Sequence, residues 1–65
     1  MRGIVKFFNK GYGFIIREDN NQDIFVHFRD IKGNGFRKLE VDQKVVFDIE
    51  NTDKGQKAVN VEVIE

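Results

Sequence analysis

Apolar and polar residues alternate in five short runs along this 65-residue chain, and clusters of polar residues and glycine separate most of them. The first run is RGIVKFFN (2–9) and the second is YGFIIR (12–17). A polar turn, EDNNQ (18–22), leads to the third, DIFVHF (23–28). There the alternation sends Ile24, Val26 and Phe28 to one face and Asp23, Phe25 and His27 to the other. The fourth run, KVVFDI (44–49), sets Val45, Phe47 and Ile49 on one side and Asp48 on the other. ENTDKG (50–55) reads as the next turn. In the fifth run, AVNVEVI (58–64), Val59, Val61 and Val63 oppose Asn60 and Glu62. β-Branched and aromatic residues concentrate in these runs, as pleated strands favour. No window keeps a helical spacing over three turns, although FRDIKG (28–33) fits one short helical turn with Ile31 pointing inward. The pattern therefore predicts an all-β, five-stranded antiparallel barrel, because closure removes the edges that invite aggregation. Proline, linker composition and internal repeats are all absent, so residues 1–65 read as a single domain.

The expected core is Val5, Ile15, Ile24, Val26, Ile31, Val45, Phe47, Ile49, Val59, Val61 and Val63. That set already fills a small barrel. Phe7, Phe8, Tyr12, Phe14, Phe25, Phe28 and Phe36 are left over, and they all fall in the first 36 residues. Burying one phenylalanine stabilises by roughly 1.5–3 kcal/mol, so leaving several outside forfeits a sum comparable with total stability. One reading places these rings in the core or at its rim. The period-2 pattern argues against it, since Phe25 shares the polar face with His27.

Charge sharpens the picture. The net charge is zero, but its distribution is uneven. Residues 1–17 carry Arg2, Lys6, Lys10 and Arg17 with no acid, and residues 29–38 carry Arg29, Lys32, Arg37 and Lys38 against Asp30. Residues 39–65 hold seven acids against Lys44, Lys54 and Lys57. A neutral chain can thus present one basic surface to a polyanion. Exposed rings among cations suit single-stranded nucleic acid: each unpaired base offers a face to stack, worth about 1–3 kcal/mol per base. Duplex grooves hide those faces. The glycines of KGYGF would leave Tyr12 and Phe14 uncrowded, so that a base can lie flat on them.

These residues carry a family resemblance. KGYGFI (10–15) followed by IFVHF (24–28) resembles the paired ribonucleoprotein-type motifs of the cold-shock domain. GIVKFFN (3–9) is similar to that family's opening strand, GNGFRKL (33–39) to its central loop, and KGQKAVNV (54–61) to its last turn and strand. The resemblance implies an oligonucleotide-binding (OB) fold barrel spanning residues 1–65 as one cold-shock domain. It also implies low-specificity binding of single-stranded RNA and DNA by an RNA chaperone. Carried over by position, the stacking platform falls on Phe7, Phe8, Tyr12, Phe14, Phe25, His27, Phe28 and Phe36. Polar and charged contacts fall on Lys6, Asn9, Lys10, Asp23, Arg37 and Lys54. Three departures stand out: Phe7 replaces the family's usual tryptophan, Gln56 replaces its proline, and the first hairpin is shorter. The shorter hairpin is expected to shift the register of Phe7 and Phe8 against Tyr12 and Phe14.

Other chemistry finds little support. A lone histidine without cysteine gives neither a matched acid–base pair nor a zinc ligand set, so no catalytic residue, metal or cofactor is expected. Without cysteine no disulfide can form, which fits a reducing, cytoplasmic setting. Neither a signal-peptide pattern nor a membrane-length apolar run occurs, so no membrane partner is expected, and no small-molecule substrate either. A monomer is expected, with strand exchange between chains the alternative that a short hinge opens. The rival function is a small β-barrel protein-interaction module using the same aromatic patch. Salt discriminates the two, because phosphate contacts weaken with salt and an apolar peptide groove does not.

Overall fold

A computed structural model describes residues 1–32 and 38–64. Five strands make up the fold: β1 (Arg2–Asn9), β2 (Tyr12–Arg17), β3 (Asp23–His27), β4 (Lys44–Thr52) and β5 (Gly55–Val63). They close into a barrel in the order β1-β2-β3-β5-β4. Every neighbouring pair is antiparallel except β3 and β5, which run parallel. The all-β barrel expected from the alternation is present, with that one parallel seam as a modification.

Turn chemistry sets the first hairpin. Asn9 faces Tyr12, leaving Lys10 and Gly11 as a two-residue loop. Both have positive φ, 56° and 89°, as a type I′ turn requires and as the right-handed strand twist favours. The shortened hairpin is thus a tight turn, and a β-bulge adjusts the register behind it. Val5 pairs with Ile15 and Phe7 with Phe14, so Lys6 is the extra residue. Without it, Phe7 would point inward with Val5. The bulge turns Lys6 and Phe7 both outward and sets Phe8 against the core.

The core contains Val5, Ile15, Ile24, Val26, Ile31, Leu39, Val45, Phe47, Ala58 and Val61. Ile49 packs against it, half-buried. Val59 and Val63 depart from the expected inward set: Val59 is half-buried and Val63 exposed. Val63 pairs with the buried Val45 but is the last residue of β5, and a second bulge is the reason for Val59. Between the Val46–Glu62 and Asp48–Val59 pairs, β5 carries one residue more than β4, and Asn60 takes a φ of 53° there. The alternation therefore slips, and Ala58 faces inward in place of Val59, while Val61 is buried as expected. The β4–β5 hairpin also extends to Thr52 and Gly55, so most of the expected turn ENTDKG is strand and only Asp53 and Lys54 form the loop. Leu39 enters the core because the chain beyond it zips onto β1: Asp42 N–H donates to the Val5 carbonyl, and Val5 N–H to that of Gln43.

Candidate nucleic-acid interface

Strand register arranges the outer surface of β1, β2 and β3 in rows. Residues paired across a ladder share a face, so each pair contributes neighbours to one row. The first row is Asn9, Tyr12 and His27. The second is Phe7, Phe14 and Phe25, and the parallel ladder adds Lys57 of β5 at its end. Below it, Ile16 pairs with Asp23. The inner rows of the same strands are Phe8–Gly13–Val26 and Val5–Ile15–Ile24, which belong to the core or line it.

The rings touch one another. Phe7 and Phe14 lie 5.6 Å apart between centroids, and Phe14 meets Phe25 edge-on at 5.8 Å. Tyr12 stacks toward Phe25 at 6.1 Å with 30° between the planes. Edge-to-face and offset contacts are the favoured aromatic geometries, so the rings hold one another in place. Phe7 and Tyr12 are exposed at 39% and 44%, while Phe14, Phe25 and His27 are half-buried. Phe25 is therefore a floor of this surface and not a freely standing ring.

Phe28 differs from its strand-face assignment. The chain leaves β3 at His27 and makes a 3-10 turn over Phe28–Asp30. His27 caps that turn, its Nδ1 accepting from the Arg29 N–H at 3.2 Å. The redirected Phe28 is 40% exposed, and its ring lies 4.7 Å from that of His27. Ile31, at the end of the turn, points inward as expected. Gly11 packs beneath Phe28: a Cβ there would stand 3.2 Å from the ring, and the Phe28 N–H donates to the Gly11 carbonyl.

Gly13 has a different use from the one expected. It is buried, and a Cβ would collide with the Phe7 carbonyl and the Phe8 backbone of the bulged strand. Gly13 makes room for β1 from inside the barrel, so it does not clear the outer face for a ligand.

The charged residues are partly engaged with each other. Lys6 Nζ lies 2.9 Å from the Asp23 carboxylate. Lys57 Nζ lies 3.5 Å from Asp30 on the 3-10 turn. Asn9 and Lys10 are exposed at the end of the first hairpin, and Lys54 is exposed at the tip of the β4–β5 hairpin. Phe36 and Arg37 lie outside the described residues. Arg17 forks onto Asp19 at 2.8 and 3.1 Å, and this hydrogen-bonded pairing lowers the Asp19 pKa below the ordinary aspartate value. Among the described residues no group of acids and histidine is placed to hold a metal ion, and no helix is long and apolar enough to cross a membrane.

Sequence reasoning left Ile16 and Lys57 out of this surface. Lys57 was hidden because the apolar run starts at Ala58, whereas β5 itself begins at Gly55. Ile16 lies outside the expected core set and carries no site signal in sequence, and its pairing with Asp23 places it on the outer face.

Comparison with known proteins agrees with this geometry. The model of the 'Cold-shock' DNA-binding domain family matches residues 1–64. The chain belongs to the cold-shock domain family. It is 55% identical to a cold shock-like protein of Aquifex aeolicus over 65 residues, covering 97% of this chain and 93% of that protein. It is 57% identical to cold shock protein 1 of Lactiplantibacillus plantarum, over 91% of each. The cold shock-like protein CspC of Escherichia coli shares 50% identity over 98% of this chain and 96% of its own length. Among solved structures, drosophila Unr CSD456 superposes with a TM-score of 0.82 at 17% identity. That match covers 98% of this chain and 26% of the larger one, and shows that the barrel is the cold-shock fold. Cold-shock domains form a nucleic-acid-binding, non-enzymatic family.

Proposed function

We propose that this cold-shock domain binds single-stranded RNA and DNA with little sequence preference and acts as a cytoplasmic RNA chaperone that melts or prevents secondary structure. The observation that carries the reading is the continuous row of Phe7, Phe14 and Phe25, flanked by Tyr12, His27 and Phe28. Aromatic faces accept any base, so a platform of this kind gives affinity without a code. Paired bases are unavailable to it, and binding therefore draws the equilibrium toward unpaired strands.

The residues divide by position. Phe7, Tyr12, Phe14, Phe25, His27 and Phe28 supply stacking surface. Phe8 supports them from the rim of the core. Lys6, Asn9, Lys10, Asp23 and Lys54 supply polar and charged contacts around the rings. Phe36 and Arg37 join this set on family resemblance. The protein acts as a single domain over residues 1–65, as a monomer, without catalysis or cofactor.

A short RNA hairpin carrying a fluorophore and a quencher at its ends tests the chaperone reading. Added protein is expected to raise fluorescence without any nucleotide cofactor, and Phe14→Ala and Phe25→Ala to reduce that opening sharply. A hairpin that stays closed at protein concentrations saturating a matching linear strand would contradict it.

A further inference from the structure

We propose that Lys57 is a phosphate-binding residue at the β5 end of the aromatic row, and that Asp30 occupies it in the free protein. The inference rests on the single-strand reading above and extends it across the β3–β5 seam. Register is the first argument. Lys57 pairs with Phe25 in the parallel ladder while the next pair, Val26 and Ala58, is buried. Phe25 and Lys57 therefore share the outer face, and a base seated on Phe25 brings its sugar–phosphate within reach of the Lys57 stem.

Charge is the second argument. Lys57 Nζ stands 3.5 Å from Asp30 Oδ2, a separation longer than the 2.9 Å of the Lys6–Asp23 pair. Neither partner is deeply buried: the Lys57 side chain is 33% exposed and that of Asp30 21%. A partly solvated ion pair at that distance holds its partners weakly, so a phosphate oxygen can replace the carboxylate, which keeps contact with solvent. Asp30 sits on the same 3-10 turn that presents Phe28, so the competing acid and a stacking ring are carried by one short segment. The exchange conserves the lysine's charge partner and substitutes ligand for protein.

Ionic pairing by itself is open to a structural reading, in which Asp30 and Lys57 clip the turn to β5. Salt dependence separates the two, because a clip adds nothing to the number of phosphates neutralised. The experiment is a salt titration of binding to a fluorescent oligothymidine, for the wild type and for Lys57→Gln, Lys57→Arg and Asp30→Asn. Each phosphate contact on a single strand contributes about 0.7 to the slope of log affinity against log salt. Lys57→Gln is expected to lower the slope by about that amount, and Lys57→Arg to keep it. Asp30→Asn, which leaves the lysine in place and unmasked, is expected to bind roughly two- to fivefold tighter at low salt. An unchanged slope in Lys57→Gln, or unchanged or weaker binding in Asp30→Asn, would overturn the proposal. Failure of the wild type to bind the strand would instead overturn the single-strand reading on which it rests.

Discussion

The outer surfaces of β1–β3 and of the β4–β5 hairpin belong to one barrel and are built by opposite rules. On β4 and β5 the single aromatic residue, Phe47, is buried at 3% exposure, and the exposed positions include Asp48, Glu50, Asn51, Thr52 and Glu62, with Val46 and Val59 half-buried beside them. On β1–β3 and the turn after them, six aromatic residues, counting Tyr12 and excluding His27, are exposed or only half-buried. The hairpin shows how this chain makes a strand pair when only closure and solubility matter. The three-stranded surface gives up burial that the hairpin takes, and stability alone offers no reason for that. The proposed single-strand binding supplies a reason for that difference.

Variants on the two sides of a single strand test this contrast most severely. Val26 and Phe25 are adjacent on β3, one inside and one outside. Val26→Ala should destabilise the barrel by about 2–3 kcal/mol, because it removes fully buried methyl groups, while leaving the affinity of the folded fraction near that of the wild type. Denaturant melts would read it. Phe25→Ala and Phe14→Ala should do the reverse, weakening single-strand binding by about 1–3 kcal/mol each with the fold retained. If either unfolds the protein, its ring belongs to the core side of the comparison.

Smaller effects sharpen the contrast at its edges. Gly11→Ala places a side chain at a φ of 89° and against the Phe28 ring, and should cost about 1 kcal/mol or somewhat more of stability. Thermal melts would show it, with a further loss of binding if Phe28 is displaced. The smallest effect concerns acid. Asp19 has its pKa lowered, first by its hydrogen bond from Arg17, so its folded value lies below its unfolded one. Its contribution is present above the ordinary aspartate range and fades as pH falls through the folded value. Asp19→Asn should remove that part of the acid limb in a pH series of melting curves. Binding at neutral pH should not change, since Asp19 lies in the turn beyond β2, away from the aromatic rows.

Much of this was legible in the sequence, and the failures have a common cause. Strict alternation in β2 and β3 placed Ile15, Ile24 and Val26 inside and Phe14 and Phe25 outside. Alternation misled wherever a backbone residue was added. At Asn60 the bulge exchanged Val59 for Ala58, because a period of two cannot register an inserted residue. At Lys6 a bulge did the opposite service, bringing Phe7 to the outer face that its parity with Val5 denied. Leu39 was missed because it stands alone among charged residues, and only long-range hydrogen bonds from the following segment to Val5 bring it inward. Lys57 escaped notice since a parallel partner across a seam leaves no local pattern.

The central claim is that the outer row of Phe7, Phe14 and Phe25 exists to stack on unpaired bases. The most direct measurement is fluorescence anisotropy of a labelled oligothymidine and of an equal-length duplex, titrated with the wild type, Phe14→Ala and Phe25→Ala. The account predicts clear preference for the single strand, a modest salt slope, and loss of affinity in both variants with unchanged circular dichroism. Equal affinity for the duplex, or variants that bind the single strand as the wild type does, would contradict it. No binding to either ligand would assign the aromatic surface to a protein partner.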